Sequence, residues 1–197
     1  MSRGRTATGQ DRPETDVASR PAPGRSGPLW TWLMPSLLTL GAMAVWGAVR
    51  YPELPDRVPL HIGPDGVDAW TGKTFWSVFV PVLTYAGITL VVVGCAALTA
   101  RITPLDEMPE PRDGRPAGGL SSRPASAVSA RRTARSLLVL NAGLGVGLVP
   151  LCWVQWRTSE TADVPVWLLA VTPALFLLAL VPVGVAWWRD TADKRTA

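Results

Sequence analysis

The sequence predicts an all-α, polytopic membrane protein whose four transmembrane helices form two hairpins. Three observations carry that expectation. Four long windows, 26–49, 74–100, 136–156 and 164–188, contain no Asp, Glu, Lys, Arg or His. Each is long enough to cross about 30 Å of hydrocarbon at about 1.5 Å per residue. Tryptophan collects at the window ends, and basic residues collect in the two tails and the middle connection.

Taken in order, the tail 1–25 mixes both signs of charge with Pro, Gly, Ser and Thr, cannot bury a core, and is expected to be disordered. The apolar run behind it is long enough to span, which favours a signal anchor over a cleavable signal. Trp30 and Trp32 open the first helix, 26–49, and the loop 50–73 follows. Trp76 stands near the start of the second helix, 74–100. The linker 101–135 begins acidic, "PLDEMPEP", and ends basic, as solvated chain with some attraction to anionic lipid does. The third helix, 136–156, closes on Trp153 and Trp156, and a short connection, 157–163, leads to the fourth, 164–188. Trp167 opens that last span, the Trp187–Trp188 pair ends it, and a tail 189–197 remains. Indoles favour the headgroup layer, so these positions mark the two interfaces.

Orientation follows from Lys and Arg. The tails and the 101–135 linker hold 15 of them, against 4 in the other two connections. The positive-inside rule then puts both termini in the cytoplasm and the 50–73 loop outside a bacterial inner membrane. These basic residues lie in tails and linkers, never on a helix face interleaved with aromatics, so nucleic acid is not an expected partner and the lipid bilayer is. Cys95 and Cys152 fall inside apolar windows as small packing residues, and two cysteines with one distant histidine form no zinc signature.

No ionisable group lies within a window, which argues against an ion pump or an aspartyl or metal intramembrane protease. The HExxH, P-loop and GxSxG patterns are absent. Asn141 is expected to hydrogen-bond a neighbouring helix, and Gly143 and Gly147 of "GLGVG" to allow close helix approach. Pro35, Pro81, Pro150, Pro173 and Pro182 are expected to kink or open their helices.

The loop "YPELPDRVPLHIGPDGVDAWTGK", 51–73, holds the chain's only histidine. It far exceeds the usual helix–helix connection of about 2–8 residues and shows no evident secondary structure. Apolar anchors (Tyr51, Leu54, Val58, Leu60, Ile62, Val67, Trp70) and the φ-fixing Pro52, Pro55, Pro59 and Pro64 predict an ordered cap. "GPDG" suits a type I turn, after which Asp68 is expected to cap a short helical lead into the second span. His61 with Asp56, Asp65 and Asp68 has the donor chemistry of a divalent-metal site, but a single imidazole without thiolates is a thin ligand set. The plainer reading has His61 bonding a carboxylate or a carbonyl and locking the cap. Catalytic, cofactor-binding and metal-ligating residues are therefore left unassigned. Arg50, Arg57 and Lys73 nearly balance Glu53, Asp56, Asp65 and Asp68, and such exposed pairs contribute only about 0–1 kcal/mol each. A further reading has the cap recognising an extracellular peptide.

The spaced residues Tyr51-Pro52, Leu54-Pro55-Asp56, Pro59, His61, Gly66, Asp68, Trp70 and Lys73, with Pro81 in the next helix, resemble the bacterial membrane family called domain of unknown function 1648. The resemblance covers the first helical hairpin only. That domain also occurs in proteins similar to the immunity factor against a secreted sporulation-delaying toxin, which protects the producing cell and relays a membrane signal; nothing in 136–188 resembles their second half. The resemblance implies Tyr51, Pro52, Pro55, Asp56, Pro59, His61, Gly66, Asp68, Trp70 and Lys73 as motif or ligand-facing residues. Three functions stay open: a non-enzymatic immunity or signalling protein that binds through the outer loop, a metal-assisted membrane enzyme, or an accessory subunit whose partner is a transporter.

Overall fold

A computed structural model describes residues 29–63, 65–108, 122–157, 161 and 163–196. A 3-10 run, Leu29–Leu33, leads into α1 (Met34–Arg50); α2 is Phe75–Arg101, α3 Ala127–Gln155 and α4 Val166–Thr196. All four carry spans long and apolar enough to cross a membrane, which makes this a multi-pass membrane protein. The tail expected to be disordered lies outside the described residues, as do part of the linker and Pro64 of the expected turn. Two findings differ from the expectation. The loop between α1 and α2 is a two-stranded antiparallel sheet, and α3 begins at Ala127, well before its charge-free window.

α3 is the axis of the bundle, packing against α1, α2 and α4. Lipid tails are as apolar as leucine, so helices associate through close packing and hydrogen bonds. The "GLGVG" run supplies the packing in two directions. A Cβ at Gly143 would lie 2.6 Å from that of Ala179, and one at Gly147 would lie 2.9 Å from the Phe176 ring, so both glycines admit α4. A Cβ at Gly145 would strike the Tyr85 ring, so the middle glycine admits α2. Buried Asn141 supplies the hydrogen bonding: its Nδ2 donates to Thr89 Oγ1 at 3.1 Å, and its carbonyl accepts from the Tyr85 hydroxyl at 3.1 Å.

Proline fixes the same helix pair higher up. Pro81 has no N–H, which leaves the carbonyl of Ser77 without its helical donor. Gln155 of α3 supplies one, its Nε2 donating to that oxygen at 2.6 Å. The neighbouring Trp156 indole donates to the Val78 carbonyl at 2.9 Å, and its buried ring meets Trp46 of α1 edge-on at 5.2 Å. Pro150, Pro173 and Pro182 also sit inside helices, whereas Pro35 occupies the first turn of α1, where a missing N–H costs nothing.

At the opposite end, Asp190 of α4 gathers three elements. Its carboxylate accepts from the Ala125 backbone at 2.9 Å and from the Ser129 hydroxyl, and it pairs with Lys194 at 2.8 Å. The Arg135 guanidinium stacks 3.5 Å above the Trp32 ring, tying the start of α3 to the entry of α1. The termini end and the hairpin end are thus closed by different chemistry.

Gly145→Ala should destabilise the bundle by about 1–3 kcal/mol, because the aromatic ring it meets cannot bend away. Gln155→Leu should cost about 1–3 kcal/mol by stranding the Ser77 carbonyl. Reversible unfolding in mixed micelles measures both; values inside about 0.5 kcal/mol of the parent, the range of an ordinary surface change, contradict this packing scheme.

Candidate functional site

The hairpin end is built on a fixed base. A 3-10 turn, Tyr51–Glu53, carries the chain out of α1, and β1 (Arg57–Gly63) pairs antiparallel with β2 (Gly66–Gly72). The strands were hidden in the sequence because the alternation is broken twice: the register skips Leu60 on β1 and Asp68 on β2. The turn lies between Gly63 and Gly66, and Gly66 has φ 119°, a conformation that side chains with a Cβ rarely adopt.

Asp68 does not cap a helix. It lies on β2, and Thr74 is the N-cap of α2, its Oγ1 accepting from the Ser77 N–H at 3.1 Å while Ser77 Oγ accepts from the Thr74 N–H at 2.9 Å. The spacing Thr74-x-x-Ser77 is a serine version of the capping box, a signal readable in the sequence but weaker than its Glu form.

Lys73 holds the base together. Its ammonium donates to the Leu54 carbonyl at 2.8 Å and lies 5.3 Å from the centroid of the Tyr51 ring. Its backbone N–H donates to the Asp56 carbonyl at 2.8 Å, closing the two strand ends on each other. Leu54 and Val58 are buried with Val78 and Trp156, while Val67 packs on Val154 and Leu168, with Ile62 and Trp70 beside them. The hairpin therefore rests across the ends of α2, α3 and α4. Tyr51, Pro59, Gly66, Trp70 and Lys73 all serve this frame; Pro52 stands exposed in the 3-10 turn and Pro55 is half-buried after it.

His61 and Asp68 are different. They face each other across the broken register, His61 Nδ1 to Asp68 Oδ1 at 2.6 Å, with their side chains 68% and 57% exposed. A carboxylate only accepts, so Nδ1 carries the proton, leaving Nε2 an acceptor in the neutral ring and a donor in the charged one. A Cβ at Gly63 would lie 2.9 Å from Asp68 Oδ2, so that glycine, which the sequence did not single out, makes room for the carboxylate. Asp56 and Asp65 are exposed elsewhere on the hairpin and do not join the pair. Among the described residues no three His, Cys, Asp or Glu side chains converge as a metal would require.

Beside β1 lies a cleft of about 330 Å³. Pro59, Leu60, His61 and Ile62 form one wall; Val80, Pro81 and Thr84 of α2 and Leu148, Leu151 and Gln155 of α3 form the other. Its polar groups are few: the His61 ring, the Thr84 hydroxyl and the Gln155 amide already spent on Ser77.

Four membrane-spanning helices carrying a stapled β-hairpin at one end define the class, an integral membrane protein with an ordered cap. Residues 38–85, from α1 through the hairpin into α2, match the model of a family described as a domain of unknown function, DUF1648. No curated protein and no solved structure matches the chain.

Lys73→Met removes a charge-assisted hydrogen bond worth about 1.5–3 kcal/mol, so hairpin amides should exchange with deuterium roughly tenfold faster or more. His61→Ala, at an exposed pair, should change stability by less than about 1 kcal/mol. Equal exchange in the Lys73 variant and its parent contradicts the latch.

Proposed function

We propose that this is a non-enzymatic binding protein of the inner membrane, of the immunity or signalling type, with the hairpin as its extracytoplasmic recognition surface and both termini in the cytoplasm. One observation carries the reading: the frame of the hairpin is secured by Lys73, Leu54 and the buried valines, while His61 and Asp68 are left exposed and contribute little to it. A polar pair that the fold does not need is the kind of group that serves a ligand. The skewed distribution of Lys and Arg supports the orientation, and the family match supports placing the function in 38–85.

A metal-assisted enzyme would need more donors around His61 than Asp68 alone, so the geometry favours binding over catalysis. The accessory-subunit reading has no feature of the hairpin in its favour.

The test is a challenge assay in a susceptible bacterium producing the chain, using a secreted peptide toxin of the sporulation-delaying class in fluorescent form. Survival and cell-bound label should both rise with the parent chain. Both gains should disappear with His61→Ala and with Asp68→Asn, at unchanged protein level in the membrane. Cells protected equally by the parent and by both variants would show that the pair is not the recognition surface, and no protection at all would remove the immunity reading.

A further inference from the structure

The side chains of a β-strand point alternately to its two faces, so a cleft that touches residues 59, 60, 61 and 62 in a row runs along the strand's edge. Among the described residues β1 has a strand neighbour on one side only, β2, so its other edge presents backbone groups with no strand to pair them. Such an edge is a template for another chain, and a two-stranded ribbon gains stability from a third strand. Pro59 removes one donor from β1, which confines any added pairing to the stretch from Leu60 towards Gly63. That same stretch contains Leu60, 61% exposed and skipped by the β1–β2 register, so its side chain has found no place in the hairpin's own packing.

The opposite wall suits the side chains of such a strand. Val80, Leu148 and Leu151 are apolar, and Pro81 bends no donor into the gap. Charge selects the partner further. Arg50 is turned onto Glu53 at 2.8 Å, Lys73 onto the Leu54 carbonyl, and Arg157 onto the carbonyls of Thr161 and Asp163. Asp65 at the tip and Asp68 beside His61 are exposed at the cleft's rim, and Asp56 is exposed at the base. A rim whose carboxylates face outward while three of its cations face inward favours a positively charged partner.

We propose that the free edge of β1 and the cleft beside it dock an extended cationic peptide, which adds a third strand to the hairpin along Leu60–Gly63 and drops alternate apolar side chains between α2 and α3. The inference rests on the binding reading above and deepens it, since main-chain pairing supplies affinity while the cleft and the rim carboxylates supply selectivity.

The probe is a short fluorescent peptide of alternating Lys and Val, titrated onto the full chain in phosphatidylcholine nanodiscs and followed by anisotropy. Binding should saturate above the level of protein-free nanodiscs. N-methylation of the alternate amides on one peptide edge should weaken it about tenfold, the effect of losing one or two main-chain hydrogen bonds, and methylation of the other edge should do far less. Val80→Trp, which fills the cleft from the helix side, should weaken it by a similar factor without disturbing the hairpin. Because strand addition tolerates many sequences, no binding above bare nanodiscs overturns the proposal. Equal affinity for both methylated peptides also overturns it, as a cleft that takes only a side chain or a lipid tail would give. In that second case, affinity that still falls with His61→Ala leaves the binding reading standing while strand addition fails.

Discussion

Hydrocarbon offers a freed backbone carbonyl no water, so every such group has to be met by protein. Pro81 frees one at Ser77, and Gln155 answers it from α3, with Trp156 bonding the next carbonyl along. That joint locks α2 to α3 one turn below the hairpin, and the hairpin's position follows from it. Val78 and Trp156, both part of the joint, are also the floor on which Leu54 and Val58 rest. Lower in the bundle, Asn141, Thr89 and Tyr85 repeat the same device between the same two helices. α2 and α3 therefore behave as a unit, with α1 and α4 laid on either side of the axis that α3 provides.

From this base the two strands inherit unequal surroundings. β2 is seated through Val67 on Val154 and Leu168, whereas β1 stands beside a cleft and leaves Leu60 and His61 exposed. The asymmetry separates two duties within one motif. Tyr51, Leu54, Gly66, Trp70 and Lys73 make the hairpin a hairpin; His61 and Asp68 have little structural work and are held at the surface by it. A rigid support beneath a solvent-facing polar pair lowers the entropy lost when a partner binds.

The helices were legible because hydrocarbon demands length and freedom from charge, and both are written plainly in the four windows. Asn141 and the glycine pair were legible for the same reason, since polar and small residues inside a span have few uses. The hairpin was not. Period-two alternation is its signature, and the skips at Leu60 and Asp68 erase it midway, while four prolines make the loop read as irregular. The "GPDG" turn flanked by Val58, Ile62, Val67 and Thr71 was the signal that pointed to strands, but a two-stranded sheet at the end of a helical bundle has no composition of its own. Lys73 as a latch was illegible as well, because its partner is a backbone carbonyl 19 residues away. Gln155 was recoverable in principle: a proline inside a helix always leaves the carbonyl four residues earlier seeking a donor.

The membrane sets the remaining requirement, that the hairpin stand on the side opposite the basic linker. A single cysteine at the turn, Asp65→Cys in a chain lacking Cys95 and Cys152, tests this directly with a membrane-impermeant maleimide on intact cells. Labelling without permeabilisation is the expected result. Labelling that appears only after the membrane is opened would put the hairpin in the cytoplasm and remove it from any external ligand.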